Sequence, residues 1–600
     1  MIANAKNTYQ LIARAAAEAP DAPALKYLDN ADLEHQPLCL TRKQLIDEIT
    51  RCANMLRCLG VQQDDAVSIL LPNLPQAQIA FWGAQAAGIV NPINFLLSAD
   101  HIADIMNAAC SRVVIALGPS PALDIWQKTS EAAKKVPSLE HIVWVGGQNC
   151  ETGFDFDALV AQQSSEPLPD VGNASHEDIA AYFHTGGTTG APKLVCHTHR
   201  NEVHAAEATA RACNYRAEDV VMLGMPMFHV AGPILLSLAA FGAGAELVVA
   251  TAAGNRNPGV LQSYWRLIER HRVTVFGGVP TSLIDILDLA VPPLPDRRDG
   301  LLALSGGAAL SPGVQQRFTA GTGFPVHQIY GMTETAGAIA ITPRNDQPRP
   351  GSVGKAIEGM AVRIVDPISH QPLGPGQTGK IEVKGPCLSP GYKRTGQLPL
   401  CLCDEQGWFD TGDLGSIDGE GWLFVTGRTK DVIIRGGHNI DPAMIEEIAD
   451  RHPDVVQAAA VGRPDVRAGE VPVLFVTLRD GTEASCDEVL QFVHRNISEA
   501  PAKPVAIYGI PEMPKTAIGK LYRPALRQRA LRDHFVASIE TVCGAAASGL
   551  IVAFHDGDGP VVRYSFDSDT SRAALLPTVL EWLNENGLGQ TIVSAEAQPA

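Results

Sequence analysis

The sequence predicts an α/β protein made of more than one folding unit, and three observations carry that reading. Helical stretches alternate with short apolar runs from residue 8 to about residue 330, the rhythm of parallel sheets joined by helical crossovers. From Pro350 to Val425 the rhythm breaks into short strands between Gly/Pro turns, as in a small antiparallel subdomain. The chain also has 600 residues, more than one hydrophobic core usually serves.

Thr41-Arg-Lys-Gln44 has the capping-box pattern. It opens a predicted helix with Leu45, Ile49, Ala53, Leu56 and Leu59 on one face, closed by Gly60. A strand over 67–71, a helix over 76–87 and a strand over 113–117 follow, then a polar surface connection over 147–177. Residues 179–183 read as a buried strand. A helix over 202–213 and strands over 220–224, 273–276 and 301–305 continue the alternation. Strands over 361–365 and 379–384 belong to the antiparallel stretch. Beyond Asp431 comes a compact α/β unit, with helices over 442–450 and 487–497 and strands over 455–461 and 471–478. Residues 533–600 read as a packed appendage: a hairpin of strands 550–554 and 561–566, then a helix over 571–584.

Composition excludes several classes. The chain is 46% apolar and 19% charged with a formal net charge of −18, ordinary for a globular protein and unsuited to nucleic acid. Residues 1–6 lack the basic start and long apolar core of a secretory signal. The most membrane-like run, 231–250, is interrupted by Pro233 and Glu246, so it reads as a buried helix and strand rather than a spanning segment. The twelve cysteines form no Cys-x-x-Cys pair, and Cys401-Leu-Cys403 reads as two unrelated thiols. A cytoplasmic protein with reduced thiols is expected.

The stretch richest in chemistry follows the strand over 179–183. Thr185-Gly-Gly-Thr-Thr-Gly-Ala-Pro-Lys193 combines three Gly, three Thr, one Pro and one Lys. Gly lets backbone N–H groups turn toward a ligand, successive N–H groups make an anion-binding concavity, and Lys193 brings a point charge. An ordinary turn has the same composition, and the loop matches neither the nucleoside-triphosphatase nor the dinucleotide pattern. Strand ends elsewhere carry Met227-Phe-His229, Gly277-Gly278, Gly306-Gly307-Ala308 and Tyr330-Gly331. These small residues either start turns or hold open a ligand space beyond the carboxyl edge of a sheet.

Four further segments, in order, settle the reading: Tyr330-Gly-Met-Thr-Glu-Thr335, Trp408-Phe-Asp-Thr-Gly-Asp413, Gly427-Arg-Thr-Lys-Asp431 with Gly436-Gly437, and Pro514-Lys-Thr-Ala-Ile-Gly-Lys520. With the loop at 185–193 they resemble the adenylate-forming superfamily of acyl-CoA synthetases, peptide-synthetase adenylation domains and luciferases, over roughly residues 8–532. The resemblance implies a large domain over 1–429 with a β-barrel-like subdomain at about 350–425, and a mobile C-terminal domain over 430–532. It also implies two half-reactions. A carboxylate attacks the α-phosphorus of ATP to give an acyl-adenylate, and a thiol then expels AMP. Neither needs a protein nucleophile, so catalysis rests on positioning and charge stabilisation.

By the same resemblance, Thr185, Gly186, Gly187, Thr188, Thr189, Gly190 and Lys193 hold the β and γ phosphates. Glu334 is the expected Mg²⁺ ligand. Gly307, Ala308, Gln328, Ile329 and Tyr330, with Gly331, Met332 and Thr333, line the nucleotide. Asp413 accepts the ribose hydroxyls and Arg428 assists at ribose or phosphate. Lys520 serves the first half-reaction, Lys430 is the hinge, and Gly436 and Gly437 line the pantetheine tunnel. Taken alone, Lys520 would be a solvated lysine and Glu334 a surface carboxylate. Amino-acid-activating members carry Asp where this chain has His229, so an α-ammonium substrate is disfavoured. His229 stands with Lys520 and Glu334 as a candidate catalytic residue. Val230, Gly232, Pro233, Gly278, Val279, Ala336 and Gly337 make an apolar acyl pocket, which Met332 borders. The expectation is an AMP-forming ligase joining a hydrophobic carboxylic acid, such as a fatty acid, to coenzyme A. The alternatives are transfer of the acyl group to a carrier protein and a luciferase-like oxygenase.

Overall fold

The computed structural model describes residues 5–594 apart from 34, 148–149, 151, 186–191, 288, 290–299, 395–396, 429–430, 437, 466, 483, 517–518, 544–549, 557–559, 567–577 and 580–592. Its largest sheet has thirteen described strands. Six of them are parallel neighbours: Val326–Tyr330, Leu302–Gly306, Val275–Gly278, Val220–Met222, Glu246–Ala250 and Pro23–Leu28. These are the apolar runs of the sequence. They are near-continuously hydrophobic because helices cover them, and parallel strands buried on both faces need no polar alternation.

A nine-stranded sheet lies beside it, with Ile89–Pro92, Ala66–Leu70, Ser111–Leu117 and His141–Val145 parallel at its centre. The helix Arg42–Cys58 packs here with Leu45, Ile49, Ala53 and Leu56 inward, and both bonds of the Thr41/Gln44 capping box form. Gly60, at φ +87°, follows its end. The run over 231–250 folds as a helix, Ala231–Leu238 continued by Ala239–Ala243, and the strand Glu246–Ala250. Among the described residues no helix is long and apolar enough to cross a membrane.

Two stretches differ from expectation. The polar connection contains the helix Phe156–Ala161, which buries Phe156 and Val160 and is capped by Asp155. Six residues are too short a window for a helical stripe to show. The antiparallel strands of the subdomain also join larger sheets. Ala361–Val365, Gly379–Lys384, Phe409–Ile417, Trp422–Arg428 and Ser352–Ala356 prolong the thirteen-stranded sheet through Ala340–Ile341, while Gly391–Arg394 pairs with Lys193–Thr198 in the other.

The smaller α/β unit is a sheet of five described strands led by Val455–Asp465 and Gly469–Leu478, with helices Pro442–Asp450 and Cys486–Asn496 packed on it. The hairpin Leu550–Asp556/Pro560–Phe566 forms as expected and is joined in parallel by Val593–Ser594. The helix expected over 571–584 falls outside the described residues except at 578–579.

The smaller unit docks on the larger through few contacts. Arg317 donates to the carbonyls of Val455 (3.2 Å) and Val456 (3.3 Å). Beside it, burial pushes the Asp450 carboxyl up to about 7, Glu446 adds to the rise, and the Ser311 hydroxyl and Arg317 oppose it. Ser311 and Arg317 belong to the large unit, so docking accounts for part of that burial. The sign follows from linkage. The docked carboxyl binds its proton more tightly than a solvated one near 4, so docking strengthens as pH falls from about 7 toward about 4. Asp450→Asn is expected to flatten that dependence and favour docking at alkaline pH, measured by energy transfer between dyes on the two units. An unchanged pH profile would contradict it.

Candidate active site

The carboxyl ends of Val275–Gly278, Leu302–Gly306 and Val326–Tyr330 meet at one edge of the large sheet. Open α/β sheets bind ligands there because the loops diverge beyond the strands. Glycine keeps the edge open. Gly277, at φ +139°, has no room for a Cβ against the Leu304 backbone. Gly307, at φ +80°, faces the smaller unit, and a Cβ there would stand 3.0 Å from Lys520 Cε. Thr281 Oγ1 donates to the Gly519 carbonyl (2.9 Å), fixing the turn that delivers Lys520. Burial, then Arg428, lower the Lys520 ammonium to about 8, while Asp413 pulls the other way.

Asp413 and Arg428 face each other across the antiparallel pair Phe409–Ile417/Trp422–Arg428. Arg428 Nε lies 3.3 Å from Asp413 Oδ1, and the Tyr330 hydroxyl donates to Oδ2 (2.7 Å). Burial and the adjacent Asp413 raise the Tyr330 phenol well above its ordinary value, so it remains a donor. The carboxylate is thus held on both oxygens.

Glu334 lies in the short 3₁₀ turn Thr333–Thr335 and is buried. The Tyr392 hydroxyl donates to Oε1 (2.8 Å), and Lys193 Nζ lies 5.6 Å from the Tyr392 ring centre. Thr185 and Lys193 stand opposite each other in the strand pair Ile179–Thr185/Lys193–Thr198. Gly186, Gly187, Thr188, Thr189 and Gly190, between them, lie outside the described residues, as do Lys430 and Gly437. Among the described residues no group of three or more His, Cys, Asp and Glu is gathered for a metal. The buried Glu334 carboxylate is the kind of oxygen donor that Mg²⁺ takes, an ion that fills the rest of its shell with water and phosphate oxygens.

His229 accepts the Ala231 N–H on Nδ1 (3.3 Å), which leaves the proton on Nε2. Burial first, then Lys520 and His184, lower it to about 3, so the ring is neutral. His184 is lowered by burial to about 4 and accepts the Asn94 N–H on Nε2 (3.1 Å). Around them the wall is apolar. Gly337, at φ +97°, packs against Val230 and Leu235; Ala336, at φ +49°, and Val279 are buried. Gly232 fits because a Cβ would strike the Pro226 carbonyl, and Pro233 is buried beside it. A Cβ on Gly278 would meet Ser282 at 3.1 Å.

The structure brings Lys520, Asp413, Arg428, Tyr330 and Gly307 together, and His229 close to Lys520. Two expected residues stand differently. The Gln328 side chain is buried and its amide nitrogen donates to the Ser352 carbonyl (3.0 Å). Gly436 is exposed with open space at its Cβ position, away from any channel wall in this orientation. The sequence reading missed Tyr392, Thr281 and His184. Tyr392 and Thr281 sit in unremarkable contexts, while His184 directly precedes the Gly/Thr loop and its place at the strand end was the available signal.

The comparisons agree with this geometry. Residues 12–393 match the family model described as AMP-binding enzyme, and 444–520 match the AMP-binding enzyme C-terminal domain. The chain is 34% identical over 517 residues to the marinolic acid–CoA ligase of Pseudoalteromonas sp. (strain SANK 73390), covering 84% of this chain and 78% of that one. It is 30% identical to the long-chain-fatty-acid–CoA ligase of Bacillus subtilis (strain 168), covering 88% and 96%. The solved structure of ATP-bound MatB from Rhodopseudomonas palustris superposes with a TM-score of 0.75 at 26% identity, covering 87% of this chain and 99% of that one. The chain belongs to the AMP-binding enzyme family and is an AMP-forming acid–thiol ligase.

Proposed function

We propose that this enzyme activates a hydrophobic carboxylic acid, in the first place a fatty acid, as its acyl-adenylate and then forms the coenzyme A thioester. The observation that carries the reading is the acyl wall: apolar and small residues around a neutral His229, with Lys520 close enough to depress the ring. An α-ammonium would find no carboxylate partner at His229. The acids that name these two relatives, marinolic acid and long-chain fatty acids, support a large apolar acid.

In this reading the incoming carboxylate meets two donors, the His229 Nε2–H and the Lys520 ammonium. Their charge and hydrogen bonds stabilise the negative charge that gathers as the carboxylate oxygen bonds to the α-phosphorus and pyrophosphate leaves. Asp413, held by Tyr330 and Arg428, fixes the ribose so that attack and departure lie in line. Mg²⁺, bound by Glu334, would neutralise phosphate charge. We place the hinge at Lys430, between a large unit ending at residue 429 and a small unit over 430–532. The docked arrangement, with Lys520 in the site, then serves adenylation, and rotation would bring Gly436 to the thiol path. A cytoplasmic location accords with this chemistry.

A panel of carboxylic acids with ATP and coenzyme A, followed by AMP release, tests the proposal. Release that peaks with medium- or long-chain acids and requires coenzyme A is expected. Preference for a small polar acid, turnover only with a carrier protein, or light emission with luciferin would overturn it.

Two variants test the site. Lys520→Ala should lower adenylation, read as pyrophosphate exchange, by on the order of 10²–10³ while sparing thioester formation from supplied acyl-adenylate. The parent's adenylation should fall as pH rises through about 8, because the ammonium is intact below that value and lost above it. Tyr330→Phe should raise the KM for ATP by roughly tenfold or more, since one hydrogen bond to a charged group is worth about 1.5–3 kcal/mol. Selectivity among acids should not change, and a shift there would contradict the placement.

A further inference from the structure

Behind the Glu334 turn lies a buried polar chain that the reaction does not touch. His197 and Glu202 are each 0% exposed, and Gln85 and Thr8 are each 1% exposed. His197 Nε2 donates to the Thr333 carbonyl (2.7 Å), since a carbonyl can only accept. Its Nδ1 lies 3.2 Å from Glu202 Oε1. The other carboxylate oxygen, Oε2, accepts from Gln85 Nε2 (2.7 Å), and Gln85 Oε1 accepts from the Thr8 hydroxyl (2.6 Å). The His197 ring packs on Phe183, centroids 4.9 Å apart.

The proton inventory is closed. One proton sits on Nε2 and one bridges Nδ1 and Oε1, so the pair is neutral overall whichever atom holds the bridging proton. A buried carboxylate and imidazole are costly unless every polar atom is used. Here each has a partner, and three segments distant in sequence supply them. The terminus of the chain is a main-chain carbonyl, and the next residue is Glu334.

That turn is held from its other side as well. The Ser389 N–H donates to the Glu334 carbonyl (2.8 Å), and the Tyr392 hydroxyl holds Oε1. His197 fixes the peptide that leads into Glu334, and Tyr392 fixes the carboxylate. A metal-binding carboxylate needs such outer support to keep its direction.

We propose that His197, oriented by Glu202, is a positioning residue that aims Glu334 at the cation of the bound nucleotide. The inference rests on the reading of Glu334 as the metal ligand. Two amides separate the role from mere packing. In His197→Gln the amide nitrogen reaches about as far as Nε2 and can still donate to Thr333. In His197→Asn it stops near the level of Nδ1, keeps Glu202 company and falls short of the carbonyl. Both leave a polar group in the same cavity, and thermal unfolding checks that both fold.

The readout is nucleotide affinity by calorimetry, with Mg²⁺ and with a chelator in its place. His197→Asn should weaken binding of ATP with Mg²⁺ by roughly tenfold or more. Binding without Mg²⁺, and thioester formation from supplied acyl-adenylate, should stay unchanged. His197→Gln should stay close to the parent. Glu334→Gln tells the two readings apart. If it leaves the Mg²⁺ dependence intact, the metal assignment itself fails. If it abolishes the dependence while His197→Asn does not, or if the Asn and Gln variants behave alike, the positioning role of His197 is overturned.

Discussion

The arrangement of the site turns on a single ammonium brought between two folding units. Lys520 sits on the smaller unit, yet its side chain fills the space left by the missing Cβ of Gly307 on the larger one. Burying a cation there is unfavourable, as the lowered Lys520 value records. The cost is bearable because the site is built to receive negative charge. Asp413 offsets part of it, and on the proposed reading triphosphate and carboxylate would offset far more.

Electrostatics divide the site into two halves of different character. On the nucleotide side, groups are charged and cross-linked: Asp413 with Arg428 and Tyr330, and Glu334 with Tyr392. On the acyl side stand His229, which feels the Lys520 charge, and His184 beside it, and burial keeps both neutral. A neutral histidine with its Nδ1 occupied can only donate from Nε2, which suits a carboxylate better than an ammonium. The boundary between the halves is where the carboxylate of one substrate must meet the α-phosphorus of the other, and Lys520 stands at that boundary.

Much of this was legible in the sequence, for a physical reason. Lys520, Asp413 and His229 each lie in a short contiguous stretch, so linear order preserves the signal by which they were singled out. The strands and most helices were legible because buried parallel strands are apolar throughout and the helices keep a 3.6-residue stripe. What stayed hidden is non-local. Tyr392 meets Glu334 from 58 positions away, and His197 meets Thr333 from 136. Nothing in the local composition of Gly391-Tyr392-Lys393 marks the tyrosine. Gln328 is a further case: its side chain reaches the Ser352 carbonyl, 24 residues on, a partner that its own motif does not name. Sheet membership failed similarly. Alternating strands over 350–425 announce antiparallel pairing, but only the partner strands decide whether they close on themselves or extend an existing edge.

One further feature ties acyl recognition to the fold. Directly after His229 the chain winds as a π-helix, Ala231–Leu238, a geometry rare in proteins and concentrated at functional sites. Periodicity over eight residues cannot separate it from an α-helix, so the sequence alone reads simply as helical. The wider winding brings Gly232 against the Pro226 carbonyl, and Ser237 Oγ donates to the Gly232 carbonyl (2.9 Å), satisfying an acceptor within that winding. Leu235, from the same segment, packs with Val230 against Gly337. On the proposed reading, this one short element would orient the histidine at the carboxylate end and set the wall along which the acyl chain runs. Because both ends are set by one winding, the reach from His229 to the wall is fixed by the backbone. Differences in preferred acid would then arise from side-chain volume at Val230, Leu235 and Gly337 and would leave the reacting groups in place.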